Sequence, residues 1–132
     1  MSSAAIALVE SIYTAFAAGN VPAVLAAFDA SIVWNEAEGF PYSDGNPYQG
    51  PAAVLAGVFA RLPQDWRDFQ VEVKELAGGP DMVVMLGRYR GWNRASGREL
   101  NVQCSHTWWV RGNKVVRFQQ MVDTAAVARA LG

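Results

Sequence analysis

The spacing of apolar residues predicts two short helices at the start of the chain. Over residues 3–18 apolar side chains recur at steps of three and four, which is the spacing of one helix face. These side chains are Ile6, Val9, Ile12, Tyr13 and Phe16. Gly19 ends this helix, and Asn20 can cap a second helix that has Pro22 in its first turn. The buried stripe of the second helix is predicted to be Val21, Val24, Leu25 and Phe28.

Residues 31–36 predict the first strand, because β-branched and aromatic side chains dominate there. Alternation along a strand places Trp34 and Glu36 on the same face. The segment 39–50 (GFPYSDGNPYQG) is predicted to be a loop, since it is rich in Gly, Pro and turn-forming residues. Its three aromatic rings, Phe40, Tyr42 and Tyr48, are expected to cover a pocket mouth or a dimer seam, because apolar rings on a loop need a covering partner.

The rest of the chain predicts one more long helix and a β-meander. A helix is expected over residues 51–62, opened by Pro51 and stopped by Pro63. Four strands are expected over 69–76, 82–92, 99–110 and 114–122, and a final helix over 124–131 that Asp123 can cap. The fold class is therefore α+β. We expect one bent, mostly antiparallel sheet of five strands, with the first helix and the 51–62 helix across its concave face and a pocket between them.

Composition narrows the class of protein. The 132 residues fit one domain, 1–132, and are 52% hydrophobic and 17% charged, which excludes disorder. A net charge of −1 gives no positive field for nucleic acid or for an acidic membrane surface, so neither partner is expected. We expect no membrane span, no secretory signal and a soluble cytoplasmic protein. The single cysteine, Cys104, excludes a disulfide framework, and no metal or cofactor motif is present.

Glu36 and His106 are the leading candidates for chemistry. Because Glu36 shares a face with Trp34, burial would raise the pKa of its carboxyl toward neutrality, as a general base requires. The alternative is that Glu36 ends its strand in solvent or pairs with an arginine. His106, the only histidine, alternates with Cys104 and Trp108 on its strand. It is therefore either a hydrogen-bonded core histidine or an acid, base or donor.

Two further polar residues, Gln120 and Arg88, are candidates for binding the substrate. Gln120 shares its face with Phe118, where an amide must find partners. Arg88 would need a carboxylate if it is buried, and Glu36 is a candidate, or it belongs to a solvated stripe of arginines. The aromatic candidates for a flat, apolar ligand are Tyr13, Phe16, Trp34, Tyr42, Phe59, Trp108 and Phe118.

Three runs resemble the SnoaL-like, ketosteroid-isomerase-like branch of the NTF2-like superfamily. They are VESIYTAFAAGNVPAVLAAFDASIVWNEAEG, YQGPAAVLAGVF and WWVRGNKVVRFQQMVDTAAVARALG. The resemblance implies a cone-shaped fold, a hydrophobic pocket and frequent homodimers. It puts Glu36 at the position of the isomerase base and Tyr13 one residue from that of the oxyanion-hole tyrosine. It also puts His106 at or near the position of the isomerase's second hydrogen-bond donor. Gln120 falls where the cyclases have their catalytic Asp.

Two hypotheses about function follow. The first is a cofactor-independent isomerase, cyclase or hydrolase for a small hydrophobic substrate, in which Glu36 moves a proton and His106 or Tyr13 stabilises an oxyanion. The alternative is a non-catalytic module that binds a small ligand or dimerises. A homodimer is expected in either case. Trp109 stands among small polar residues on the strand face opposite His106 and would be buried at the two-fold interface.

Overall fold

The computed structural model describes residues 3–132, and its first two helices lie where the sequence predicts them. Helix α1 spans Ala4–Ala17 and is capped by Ser3, whose Oγ accepts a hydrogen bond from the Ile6 N–H at 3.1 Å. Helix α2 spans Val21–Ala26 and is capped by the Asn20 side chain. Gly19, at φ +74°, makes the turn between them. None of the helices among the described residues is long and apolar enough to cross a membrane.

Strand β1 (Phe28–Asn35) begins three residues before the predicted start. Phe28 was expected on the second helix, but it is the first residue of β1 and pairs with Val115. The prediction was wrong because Phe28 continues the three-and-four spacing of the helix and is equally suited to a buried strand position. Its ring packs against Trp34 further along the same strand, with ring centroids 5.5 Å apart.

The segment predicted as a plain loop contains regular structure. A 3-10 helix spans Pro41–Gly45, and a two-residue strand, β2 (Tyr48–Gln49), pairs antiparallel with β1. The Tyr48 ring fills the space left by Gly45 and Gly57, because a Cβ at either glycine would overlap it. This contact fixes the segment against the next helix.

The helix predicted over 51–62 is interrupted. Helix α3 (Pro51–Val54) runs into a π-helical turn (Leu55–Phe59), in which the Ala60 N–H donates to the Leu55 carbonyl at 2.8 Å. A separate short helix, α4 (Leu62–Asp65), follows, and Pro63 lies in its first turn. Pro63 therefore helps to begin a helix and does not stop one, because a proline in the first turn removes no hydrogen bond.

The remaining strands form the predicted meander. They are β3 (Trp66–Gly78), β4 (Met82–Asn93), β5 (Glu99–Arg111) and β6 (Lys114–Val122). Together with β1 and β2 they form one bent, unclosed sheet of six strands, in the order β2-β1-β6-β5-β4-β3. Five strands were predicted, and β2 is the sixth. All pairs are antiparallel except β1 with β6, which is parallel.

The concave face of the sheet carries the helices and the core. Tyr13 of α1 contacts Trp108 of β5, and Phe59 of the π-helical turn contacts Trp34 of β1, so both helical segments cover the same face. Helix α5 (Thr124–Leu131), capped by Asp123, packs against β4 and β5. The prediction of an α+β cone with helices across the concave face is confirmed.

Candidate active site

A small apolar cavity lies between the first helix, the π-helical turn and the concave face of the sheet. Its volume is about 60 Å³, enough for about four water molecules if each needs ~15 Å³ of such free space. Nine of the residues predicted for the site line it: Tyr13, Phe16, Trp34, Glu36, Phe59, His106, Trp108, Phe118 and Gln120. The alternation of side chains along β1, β5 and β6 brings most of these groups together.

Aromatic rings form the floor of the cavity. Trp34 and Phe118 face each other across the parallel β1–β6 pair and stack with ring centroids 3.6 Å apart. The Trp108 ring packs edge to face against both of them. Its centroid lies 5.8 Å from that of Trp34 and 4.7 Å from that of Phe118. Phe16 and Phe59, 5.9 Å apart, are only half-buried and so lie between the cavity and solvent. A ligand here would be held mainly by burial of apolar surface.

Glu36 is a buried carboxyl with a single side-chain partner. It follows β1 directly, is 3% exposed, and its Oε2 accepts a hydrogen bond from the indole N–H of Trp34 at 3.1 Å. Burial raises the pKa of Glu36 to about 7, and the Trp34 hydrogen bond and the charge of Arg61 only partly oppose that effect. The carboxyl can therefore take up and release a proton near neutral pH. The interpretation of Glu36 as an exposed strand end is wrong.

Asn46, which the sequence analysis did not single out, holds the backbone of Glu36 in place. The Asn46 side chain accepts from the Glu36 N–H at 2.9 Å and donates to the Glu36 carbonyl at 2.8 Å. These two bonds replace those that a neighbouring strand would supply just past the end of β1. An Asn in a loop gives no pattern from which this role could be predicted.

His106 is buried and held between two tyrosine hydroxyls. Its Nδ1 lies 2.6 Å from the Tyr13 hydroxyl and its Nε2 lies 2.5 Å from the Tyr89 hydroxyl. Burial lowers the pKa of His106 to about 3, so the imidazole is neutral at physiological pH. Both ring nitrogens already have partners. His106 can therefore orient the two hydroxyls, but it has no free nitrogen for a substrate.

Tyr89 is a second site residue that the sequence analysis missed. Its hydroxyl accepts a hydrogen bond from Gln120 Nε2 at 2.8 Å, while Gln120 Oε1 accepts from the Ala37 N–H at 3.0 Å. Burial raises the pKa of Tyr89 well above its usual value. The only sequence signal was that Tyr89 lies four residues after Met85 and so shares its face of β4. Met85 pairs with His106 of β5 and faces inward.

Two of the predicted binding residues, Arg88 and Tyr42, do not line the cavity. Arg88 Nε donates to Asn101 Oδ1 at 2.8 Å on the opposite face of the sheet, so the suggested pairing of Arg88 with Glu36 is wrong. The Tyr42 hydroxyl donates to Asp65 Oδ2 at 2.8 Å, and the Arg61 guanidinium lies over the Tyr42 ring at 4.3 Å. Tyr42 therefore fixes the 3-10 helix to α4 and does not contact a ligand in the cavity.

The three loop aromatics are all buried, but only Phe40 lines the cavity. Tyr48 donates from its hydroxyl to the Tyr42 carbonyl at 2.6 Å. Of the three rings expected to cover a pocket mouth or a dimer seam, only Phe40 therefore reaches the cavity, while Tyr42 and Tyr48 stabilise the segment that carries it. Among residues 3–132, no group of three or more His, Cys, Asp or Glu side chains could hold a metal ion.

The six-stranded bent sheet with helices on its concave face is the α+β cone of NTF2-like proteins. The model of the SnoaL-like domain matches residues 9–118, and the chain belongs to that family. No curated protein matches the sequence.

Solved structures share the fold over nearly the whole chain. An NTF2-like protein from Burkholderia thailandensis E264 is 30% identical, with 97% of each chain covered and a TM-score of 0.92. An NTF2-like protein of unknown function from Burkholderia pseudomallei K96243 is 27% identical, with 98% of each chain covered and a TM-score of 0.88. TerC, co-crystallised with polyporic acid, is 21% identical, covers 97% of this chain and 98% of its own, and has a TM-score of 0.86.

Proposed function

We propose that the protein is a cofactor-independent acid/base enzyme of the isomerase, cyclase or hydrolase type, acting on a small hydrophobic substrate. The observation that carries the proposal is the position of Glu36, a carboxyl with a pKa of about 7 at the wall of a mostly apolar cavity. A base with a pKa near the working pH combines a large ionised fraction with useful basicity. The proton removed from a carbon next to a carbonyl would go to Glu36 Oε1 or Oε2.

The negative charge formed on the substrate oxygen needs a donor within the cavity. Tyr13 is the best placed, because this half-buried residue lines the cavity and its hydroxyl is ordered by Trp108 Nε1 at 2.8 Å and by His106 Nδ1 at 2.6 Å. Donors fixed in advance in an apolar setting stabilise such a charge more than water does. His106 then acts as a positioning residue for Tyr13.

Proton transfer can be tested with cyclohex-3-enone, a small ketone whose conversion to cyclohex-2-enone needs one proton removed and one returned. We expect Glu36→Gln to lower the rate about 10²- to 10⁴-fold, because an amide cannot accept the proton. Glu38→Gln is the matched control, since Glu38 is an exposed carboxylate two residues away. The rate should rise with pH, with a midpoint near 7. Equal rates for the two variants would contradict the role of Glu36.

The alternative is a non-catalytic module that binds a small ligand. One observation favours it: among residues 3–132, every buried side-chain nitrogen and oxygen already has a hydrogen-bond partner. Such a site can hold an apolar molecule without reacting with it. Tight binding of cyclohexenone with no proton exchange in deuterated water, by wild type and Glu36→Gln alike, would support the module.

We also propose a homodimer formed through the convex face of the sheet. Three apolar side chains are exposed there on β4 and β6, the two strands that flank β5: Met82 at 44%, Leu86 at 48% and Met121 at 59%. Trp109 lies beside them, with Arg117 over its ring at 4.3 Å. A two-fold axis brings the same patch of both copies together, so one apolar sheet face can pair with itself. Light scattering should show a dimer that Met121→Glu dissociates and that Ala128→Glu, on exposed α5, leaves intact; a wild-type monomer would contradict the proposal.

A further inference from the structure

The hydroxyls of Tyr13 and Tyr89 both contact one imidazole, and this limits what each can donate. A neutral imidazole has one N–H donor and one acceptor nitrogen. His106 is 5% exposed, and its low pKa keeps it neutral. Of the two hydroxyls, therefore, one donates its hydrogen to the ring, and the other accepts the hydrogen of the ring N–H.

Each tyrosine oxygen also accepts a hydrogen bond from a second donor. Trp108 Nε1 donates to the Tyr13 oxygen at 2.8 Å, and Gln120 Nε2 donates to the Tyr89 oxygen at 2.8 Å. The hydroxyl that accepts from the imidazole therefore has both lone pairs engaged and its own hydrogen left over. In either tautomer of His106, one hydroxyl hydrogen is available for a partner outside this network.

The surroundings indicate which hydrogen is left over before a ligand binds. Cys104 lies on the same face of β5 as His106 and diagonally opposite Tyr89 of β4, so a Tyr89 hydrogen that does not point to the ring faces the Cys104 sulfur. A sulfur atom is a weak acceptor. Among the described residues, Tyr13 has hydrogen bonds only with His106 and Trp108. The favoured ligand-free tautomer thus carries its proton on Nε2, with the Tyr89 hydrogen facing sulfur and the Tyr13 hydrogen on Nδ1.

We propose that His106 is a tautomeric switch that releases the Tyr13 hydroxyl hydrogen to an acceptor oxygen of a bound ligand. In the bound state, Nδ1–H donates to Tyr13, Tyr89 donates to Nε2, and Tyr13 donates to the ligand. One N–H bond breaks at Nε2 and one forms at Nδ1, with water taking and returning the proton, so the net charge is unchanged. The ligand class is an apolar body with one neutral acceptor oxygen. The inference goes beyond the proposed function, because it needs no proton transfer by Glu36.

The tautomer can be read directly, since His106 is the only histidine in the sequence. The full chain, labelled with 15N-histidine, is studied by long-range proton–nitrogen correlation NMR. We expect the proton on Nε2 in the free protein and on Nδ1 with saturating cyclohexanone. Methylenecyclohexane has nearly the same shape and no acceptor oxygen, so it should perturb the indole N–H signals of the cavity and leave the proton on Nε2.

Two variants should respond in opposite ways. In Tyr13→Phe the proton should stay on Nε2 with or without the ketone, because only Tyr89 remains as a partner. In Tyr89→Phe it should lie on Nδ1 even without a ligand, because a buried N–H left unpaired is rarer than an unfilled lone pair. The measurements on the wild-type protein stand even if a variant does not fold.

Three results would overturn the proposal: a ketone that binds while the proton stays on Nε2, a hydrocarbon that moves it equally, or a ketone that does not bind near its solubility limit. Glu36→Gln separates this inference from the proposed function. A switch that persists in this variant, together with proton exchange that is equal in wild type and variant, would leave the ligand inference standing and reject the enzyme. If the tautomer does not change while Glu36→Gln slows proton exchange, only the switch is rejected.

Discussion

Glu36 and His106 line the same cavity and are almost equally buried, at 3% and 5% exposure, yet their surroundings prepare them for different roles. Burial favours the neutral form of both groups, so it raises the pKa of the carboxyl to about 7 and lowers that of the imidazole to about 3. Only one carboxyl oxygen of Glu36 has a side-chain hydrogen-bond partner, whereas each of the two imidazole nitrogens of His106 has one. A buried group with few partners can titrate at neutral pH, whereas a buried imidazole with both nitrogens partnered stays neutral.

The largest effect on stability is expected from His106. His106→Asn should lower the free energy of unfolding by about 4 kcal/mol at neutral pH, because two buried hydroxyls lose their shared partner at ~1–3 kcal/mol each. Urea denaturation measures this change. Thr107→Asn, on the opposite face of the same strand, is the control and should change stability by no more than about 0.5 kcal/mol. Similar small losses in both variants would show that the hydroxyls do not depend on the imidazole.

A somewhat smaller effect is expected from Glu36, and it depends on pH. With a folded-state pKa raised to about 7, Glu36 holds its proton more tightly in the folded than in the unfolded chain. Its contribution to stability is complete below the unfolded pKa and is lost as pH rises through about 7. That loss amounts to about 3 kcal/mol at ~1.4 kcal/mol per pKa unit.

Glu36→Gln removes this titration. As pH rises from about 4 to about 8, the free energy of unfolding of the wild type should therefore fall by about 3 kcal/mol relative to that of the variant. Urea denaturation at both pH values gives the difference. His106 acts in the opposite sense, because its lowered pKa makes stability fall as pH falls from about 6.5 toward 3. That contribution is common to both proteins and cancels in the comparison. A difference that stays constant with pH would contradict a raised pKa at Glu36.

The smallest effect concerns the indole N–H that stabilises the Glu36 carboxylate. Trp34→Phe removes that donor and should raise the pKa of Glu36 by a further ~1 unit, since a hydrogen bond to a charged group contributes about 1.5–3 kcal/mol. Trp108→Phe is the control, because its indole donates to Tyr13 and not to the carboxyl. NMR titration of the carboxyl carbon gives both values. An equal shift in the two variants would point to changed packing.

Period-two alternation predicted the inward faces of β1, β5 and β6 correctly, because each has polar or mixed residues on its other face. It could not decide β4, where both faces begin with apolar residues, Val83 and Met85 on one and Val84 and Leu86 on the other. Arg88 was therefore considered for the site and Tyr89 was missed.

Local pattern also could not predict the contacts that organise the 39–65 segment. The packing of Tyr48 against Gly45 and Gly57 joins residues up to twelve positions apart, and it accompanies the interrupted helix. The bonds from Asn46 to the Glu36 backbone likewise depend on how a loop folds back. Cap residues and strand faces are read from neighbouring positions, whereas these contacts require the tertiary fold.

The central claim is that Glu36 is a carboxyl that titrates near neutral pH inside an apolar cavity. The most direct measurement is the pH dependence of its carboxyl carbon NMR signal in glutamate-labelled protein, assigned by its absence in Glu36→Gln. We predict a midpoint near 7 for Glu36. A midpoint for Glu36 near 4.3, the ordinary value for a solvated glutamate, would contradict its role as the proton carrier.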